Sequence, residues 1–156
     1  MPTRPRRPRA LVLVSTRDLA AQVAESIHSL AEGLAPSLKV TVVFGGVSIN
    51  PQMMGLRSGT DIVVATPGRL IDLVEHNALN SGAVRTLVLD EADRLLDLGF
   101  SEELTRILAL LPEQRQNLFF SATFPPAVTA LATALLRDPV RVDVLPRNEG
   151  EPDIEQ

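Results

Sequence analysis

The sequence LVLDEAD occupies residues 87–93 and joins a short apolar run to a cluster of carboxylates. The apolar run predicts a strand that is buried on both faces of a sheet. Two adjacent carboxylates, Asp90 and Glu91, are costly at the end of such a strand unless a site uses their charge. An aspartate in this position suits Mg²⁺ held through water, and a neighbouring glutamate suits a water molecule that attacks a substrate. An acidic helix start explains the same residues without any function.

On both sides of this stretch, strand-like runs alternate with helix-like runs. Strands separated by helices predict crossover connections and a parallel sheet with helices on both faces. The predicted fold class is therefore α/β, in three layers. Apolar or β-branched runs predict strands at residues 10–14, 40–44, 62–65, 86–89, 118–120 and 140–144. The first helix is predicted from Leu19, Val23, Ile27, Leu30 and Leu34, which recur at helical spacing.

Four other short segments also lie where a predicted strand meets a helix. The site of an open α/β sheet lies beyond the carboxyl ends of its strands, so these segments are candidates for function. Glycines let a ligand approach the backbone closely, and a hydroxyl, amides and an arginine at a helix start suit a phosphate. Taken singly, each segment is also explained as a helix cap or a turn. The four segments are Ser15–Ala20, Gly45-Gly46, Thr66–Arg69 and Ser121–Thr123.

The order of these segments resembles the DEAD-box helicase family, a branch of the RecA-like motor proteins. Ser15–Ala20 is similar to motif Ia, where the family usually has proline for Ser15 and glutamate for Asp18. The double glycine matches that of the family. Thr66–Arg69 matches motif Ib, Asp90–Asp93 matches the motif that names the family, and Ser121–Thr123 matches motif III. The resemblance covers roughly residues 9–156.

This resemblance implies a RecA-like domain and an RNA-unwinding activity coupled to ATP hydrolysis, with ATP and Mg²⁺ as cofactors. It implies that Asp90 faces Mg²⁺ through water, that Glu91 faces the hydrolytic water, and that Asp93 bonds to motif III. It further implies that Ser121 and Thr123 link the nucleotide state to the grip on RNA. The residues implied to line the RNA backbone are Thr16, Arg17, Gly45, Gly46, Thr66, Pro67, Gly68 and Arg69.

A phosphate-binding loop with the sequence Gly-Lys-Ser/Thr does not occur in these residues. The one lysine, Lys39, follows Leu38 and precedes a predicted strand. The resemblance places that loop upstream and a second motor domain downstream, and Ile154–Gln156 is similar to the start of the connection between the domains. We therefore expect that this polypeptide alone binds no cofactor tightly, does not hydrolyse ATP and does not unwind RNA.

The resemblance also places the strand of the phosphate loop between the strands at 118–120 and 140–144. We therefore expect the RecA-like sheet to be incomplete there, with adhesive strand edges. A second copy of the chain could fill the gap by strand exchange, giving a homodimer. The N-terminal arm or a rearrangement of the sheet are the alternatives.

Composition sets the remaining expectations. The chain has 156 residues. The absence of cysteine excludes a disulfide framework. The net charge of −4 excludes a protein that binds nucleic acid through an overall positive charge. We expect a cytoplasmic setting and no membrane span. We expect a basic arm at 1–9, a partial RecA-like domain at 10–145 and the start of a linker at 146–156. The arm is either a solvated tail or a contact for phosphates.

Two other functions fit the same sequence. One is a non-catalytic RNA-binding or regulatory fragment of a helicase, and the other is a protein-interaction module. The intact Asp90–Asp93 segment favours the helicase, since a pure binder does not need these carboxylates.

Overall fold

A parallel sheet forms the centre of the computed structural model, which describes residues 7–34 and 37–136. Within these residues the strand order is β2-β3-β1-β4-β5, and every neighbouring pair is parallel. The predicted strand at 140–144 and the predicted linker at 146–156 lie outside the described residues. The strands are β1 (Ala10–Leu13), β2 (Val40–Val43), β3 (Ile62–Ala65), β4 (Thr86–Leu89) and β5 (Gln116–Phe119).

The five strands end at the same level. Leu13 of β1 lies opposite both Ala65 and Leu89, Ala65 also lies opposite Val43, and Leu89 lies opposite Phe119. All segments that follow these strands therefore leave the sheet at one edge, as the α/β prediction requires.

Helices cover both faces of the sheet, which confirms the three layers. On one face, strand residues such as Leu11 and Leu87 form the larger core with side chains of helices α2 to α6. On the other face, Val12 and Val64 form a smaller core with the side chains of α1. The helices are α1 (Arg17–Leu34), α2 (Asn50–Arg57), α3 (Pro67–Glu75), α4 (Ala92–Asp97), α5 (Ser101–Leu110) and α6 (Pro126–Leu135). None of these helices of the described part is long and apolar enough to cross a membrane.

The helical spacing correctly indicates α1, but its last two apolar residues are not buried. Leu30 is 69% exposed and Leu34 is 84% exposed, whereas Ala20, Ala24 and Ala31 are buried. Eighteen helical residues rise about 27 Å, but a four-residue strand spans only about 13 Å. The last turns of α1 therefore extend beyond the strands, and small alanines carry the close contact with the sheet.

Strand β5 forms one edge of the sheet within the described residues. It pairs with β4 on one side, and Asn117 donates a side-chain hydrogen bond of 3.1 Å to the carbonyl of Leu135 at the end of α6. Its face opposite the larger core is poorly covered, since Leu118 is 37% exposed and the adjoining Phe120 is 54% exposed. The described residues thus leave an apolar surface beside β5.

Candidate functional site

Backbone hydrogen bonds continue the sheet by one residue beyond the strand ends. The amide of Val14 donates to Ala65 at 3.0 Å, that of Thr66 to Val43 at 3.2 Å, and that of Asp90 to Leu13 at 3.1 Å. These bonds fix the level at which the segments 14–17, 66–69 and 90–93 leave the sheet. The same edge therefore carries three of the segments singled out in the sequence.

Asp93 joins the ends of β4 and β5. Its carboxylate accepts hydrogen bonds from the hydroxyl of Thr123 at 2.8 Å and from the amide of Thr123 at 3.2 Å. Its amide donates to the hydroxyl of Ser121 at 3.2 Å, and that hydroxyl donates to the carbonyl of Thr123 at 2.7 Å. The amide of Ala92 also donates to the carbonyl of Phe120 at 2.8 Å. The carboxylate segment and the Ser-Ala-Thr segment thus form one hydrogen-bonded unit.

The hydrogen bonds of Asp93 favour its charged form. Burial by itself raises the pKa of this carboxyl, but hydrogen bonds from Thr123 and from the Arg94 amide outweigh burial and lower the pKa below its ordinary value of 3.8. Asp93 is therefore a carboxylate near neutral pH, where it accepts bonds from both Thr123 donors.

Glu91 has a strained backbone. It precedes α4 with φ 52° and ψ 56°, in the left-handed region. A residue with a Cβ costs about 1–2 kcal/mol in this conformation. Such strain is often found at functional sites, where the surrounding structure holds it in place. Here the turn at Glu91 lets the chain leave β4 and enter α4 at once, with Asp90 and Glu91 at the sheet edge.

The carboxylates of this edge do not form a complete metal site by themselves. The described residues contain no group of three or more acidic, histidine or cysteine side chains that could hold a metal ion. Mg²⁺ typically uses one or two protein carboxylates together with water and substrate phosphates. Asp90 is a single carboxylate of the kind that such an ion uses together with other ligands.

The structure gives Thr16 and Arg17 different surroundings. The hydroxyl of Thr16 accepts a 3.2 Å hydrogen bond from the amide of Leu19 and so caps α1, as the simpler explanation of this segment proposed. Arg17 is exposed, and its guanidinium lies 4.9 Å from the ring centroid of Phe44. This distance is within the range of a cation–π contact, which holds the arginine above the residue before the double glycine.

The hydroxyl of Ser15 is buried in the place where the resemblance expects proline. It has no hydrogen-bond partner among the described residues. An unsatisfied buried hydroxyl costs about 1–3 kcal/mol. We find no function for it in the structure.

The double glycine forms an exposed turn that is held on both sides. Gly46 has φ 85°, which requires glycine or costs a residue with a Cβ considerable strain. Before the turn, the carbonyl of Phe44 accepts a 3.1 Å hydrogen bond from the side-chain amide of Gln52. After the turn, the carbonyl of Val47 accepts a 2.8 Å hydrogen bond from the guanidinium of Arg69.

Arg69 points inward at the start of α3. Its side chain is only 10% exposed, and its second terminal nitrogen donates to the side-chain oxygen of Gln52 at 3.0 Å. Its Nε lies 3.8 Å from a carboxylate oxygen of Asp72. Thr66 precedes the helix in an extended conformation, and its hydroxyl does not cap α3. Pro67 is buried at the helix start, while Gly68 is half-buried. A ligand would therefore meet the backbone of this segment more readily than the guanidinium of Arg69, whose terminal nitrogens already donate hydrogen bonds.

The DEAD/DEAH box helicase family model matches residues 3–131. The chain belongs to this family. It is 46% identical over 142 residues to the DEAD-box ATP-dependent RNA helicase 3A, chloroplastic, of Zea mays, covering 91% of this chain and 18% of that protein.

Two further comparisons agree. The chain is 47% identical over 135 residues to the ATP-dependent RNA helicase DeaD of Mycobacterium tuberculosis, covering 86% of this chain and 24% of the relative. The crystal structure of the yeast DEAD-box splicing factor Prp28 superposes with a TM-score of 0.78 at 36% identity, over 88% of this chain and 34% of that one. The RecA-like fold is therefore confirmed. The chain spans about a fifth to a quarter of the length of these two curated relatives.

For this member of the DEAD/DEAH box family, the resemblance implied that Asp93 bonds to motif III. The structure has hydrogen bonds between Asp93 and both Ser121 and Thr123. It missed Gln52 and Phe44, which connect the Gly45-Gly46 turn with its neighbours. No spacing rule marks these two residues, because their partners come from separate strands and helices. The predicted roles of all the site residues remain predictions.

We predict that replacing Asp93 with Asn destabilises the fold in a pH-dependent way. A lowered pKa in the folded state means that the charged Asp93 contributes stability above its ordinary pKa of 3.8 and loses it as the pH falls through the lowered value. The difference in melting temperature between wild type and Asp93→Asn should therefore be present at pH 6 and shrink below about pH 4.

Thermal denaturation monitored by circular dichroism between pH 6 and pH 2.5 measures this difference. Asp97→Asn, at an exposed position of the same helix, is the matched control. A wild-type advantage over Asp93→Asn that stays constant with pH would contradict the predicted linkage.

We further predict that Glu91→Gly is more stable than Glu91→Ala. Both variants remove the carboxylate, but only glycine adopts the left-handed backbone without a clash, so the difference should be about 1 kcal/mol. Urea denaturation gives the two free energies of unfolding. The same pair of substitutions at Glu25, an exposed residue within α1, should have the opposite order, because glycine is unfavourable inside a helix. Equal stabilities at position 91 would show that the strain is absent.

Proposed function

We propose that these residues belong to the first motor domain of an ATP-dependent RNA helicase and hold both RNA and part of the ATPase site. The observation that carries the proposal is the hydrogen-bonded unit of Asp93, Ser121 and Thr123 at the ends of β4 and β5. It joins the segment with the candidate hydrolytic carboxylates to a second segment on the neighbouring strand. The names of the relatives, which are ATP-dependent RNA helicases, support the same function.

In the proposed ATPase site, Mg²⁺ with ATP supplies charge neutralisation of the phosphates when it is bound. Asp90 would hold this ion through water, which suits a single carboxylate at a strand end. Glu91 would orient the attacking water and accept its proton. Asp93 takes no part in proton transfer, because both oxygens of its carboxylate already accept hydrogen bonds.

The proposed RNA surface follows the other segments of the same edge. Phosphates suit the exposed turn of Gly45 and Gly46, the exposed guanidinium of Arg17 and the half-buried Thr16, Thr66 and Gly68. Pro67 and Arg69 contribute from the inner side of this surface. Contacts with phosphates carry no base information, so binding should be independent of sequence and weakened by salt.

The hydrogen-bonded unit offers a path between the two activities. Asp93 follows Asp90 and Glu91 in the same segment and shares direct hydrogen bonds with Ser121 and Thr123. A shift of that segment during hydrolysis would therefore reach Ser121 and Thr123. We propose that this path relates the nucleotide state to the grip on RNA and to strand separation.

A phosphate-binding lysine and a second motor domain would have to come from outside these residues. The ammonium of Lys39 donates to the carbonyl of Gly55 at 3.2 Å and to the hydroxyl of Ser58. Lys39 directly precedes β2, at the end of the strand opposite the candidate site. We propose the domain limits 10–145, with the basic arm at 1–9 and the linker from 146. We also propose a cytoplasmic setting, with which the lack of cysteine is compatible.

We predict that this polypeptide alone does not bind ATP with Mg²⁺ at micromolar affinity. Its described residues supply carboxylates but no lysine for the β- and γ-phosphates, so the triphosphate lacks its main anchor. Isothermal calorimetry should detect binding only for a longer polypeptide that carries a Gly-Lys-Ser/Thr loop upstream. In a polypeptide that carries both this loop and the second motor domain, Glu91→Gln should retain binding and lose hydrolysis. Micromolar binding by the short chain would overturn this account of the phosphate site.

We also propose that the β5 edge pairs with a second copy of the chain. Leu118 and Phe120 expose apolar surface beside this edge, and unpaired strand edges associate readily. Light scattering at high concentration should give the mass of a dimer. Leu118→Lys should restore the monomer, because a charge on an edge strand opposes pairing, whereas Leu30→Lys on the exposed end of α1 should remain dimeric. A monomeric mass for the wild type would exclude the dimer.

A further inference from the structure

We propose that Gln52 and Arg69 are positioning residues that hold the Gly45-Gly46 turn in the form that receives the RNA backbone. This inference rests on the proposed RNA surface and assigns Gln52 a role in it. Gln52 lies in α2, outside all of the segments that the sequence singled out.

The two side chains hold the turn from both ends. Gln52 donates to the carbonyl of Phe44, the residue before the glycines, at 3.1 Å. Arg69 donates to the carbonyl of Val47, the residue after the glycines, at 2.8 Å. The two side chains are also joined to each other, through the 3.0 Å bond from Arg69 to the side-chain oxygen of Gln52. The turn is therefore closed by a continuous set of hydrogen bonds across its base.

The turn needs such support. Glycine has the largest backbone freedom to lose, and fixing one residue costs about 1–2 kcal/mol. Gly45 and Gly46 are exposed, with little packing to restrict them. A turn that is ordered before it binds does not have to be ordered by the ligand, so the affinity is higher.

The burial of Arg69 favours positioning over direct contact. Its side chain is 10% exposed, and its terminal nitrogens already donate to Gln52 and to Val47. Turning the guanidinium toward a phosphate would break both bonds and leave the Val47 carbonyl without this donor. We therefore assign the guanidinium of Arg69 to holding the backbone at Val47 and not to contacting a phosphate.

Gln52 also relates the turn to motif Ia. The guanidinium carbon of Arg17 lies 4.9 Å from the ring centroid of Phe44, and the carbonyl of Phe44 accepts the hydrogen bond from Gln52. Gln52 thereby fixes the position of three neighbouring parts of the proposed surface: the arginine of motif Ia, the double glycine and the start of α3.

The first test needs no RNA. Nuclear magnetic resonance relaxation of the amides of Gly45 to Ser48 and of the Arg69 Nε group reports whether the turn is ordered in the chain. Gln52→Met keeps the length of the side chain but removes both hydrogen bonds, so these groups should become mobile while the melting temperature changes little. Gln22→Ala, on the exposed face of α1, should leave them rigid. A turn that stays rigid in Gln52→Met would overturn the proposal.

The second test measures the affinity for a fluorescent oligouridine at several salt concentrations. Gln52→Met and Arg69→Lys should each weaken binding about tenfold, because ordering of the turn is lost. The salt dependence should be unchanged in both, since neither variant removes a charge that touches a phosphate. Arg17→Ala, which removes a proposed phosphate contact, should instead lower the salt slope by about one.

Arg69→Lys distinguishes the two possible roles of the arginine. Lysine keeps the charge but cannot join Gln52 and Val47 with a planar fork. Wild-type affinity in this variant would show that only the charge matters and would overturn the positioning role. If the wild-type chain itself binds no oligouridine, the proposed RNA surface fails. The relaxation measurement then still decides whether Gln52 holds the turn.

Discussion

Backbone pairing of β1 with both β3 and β4 is the constraint on which the rest of the structure depends. The sheet is buried between two cores, so its amides and carbonyls have to be paired within it. The register places Leu13 level with Ala65 and Leu89, and three segments leave the sheet at that level. The shared edge of the candidate site is a direct consequence of this pairing.

At that edge, polar side chains hold neighbouring backbone segments in two places. One polar side chain, Asp93, joins two segments that leave adjacent strands, and a pair, Gln52 with Arg69, holds the carbonyls on both sides of an exposed turn. In both places the side chain binds the backbone of a neighbouring segment. These hydrogen bonds help to hold the exposed glycine turn and the segment of the left-handed Glu91 in place.

Much of this arrangement could be predicted, and the reasons for the remainder are physical. Apolar runs such as Leu87–Leu89 mark buried strands, and parallel topology then brings their ends together. The overhang of α1 at Leu30 and Leu34 could not be predicted, because helical spacing does not show where a sheet ends. The role of Gln52 depends on bonds to residues 8 and 17 positions away, which no local pattern reports. The inward direction of Arg69 likewise follows from its neighbours and not from its motif.

The central position of β1 has a consequence for folding during synthesis of the protein. This strand precedes both of its partners in the chain, which begin at Ile62 and Thr86. During synthesis, the backbone amides and carbonyls of Leu11, Val12 and Leu13 lack their sheet partners until β3 and β4 have been made. Sheets assembled from such distant segments form slowly and expose sticky intermediates. Pairing of the central strand therefore cannot be completed until β4 has been synthesised.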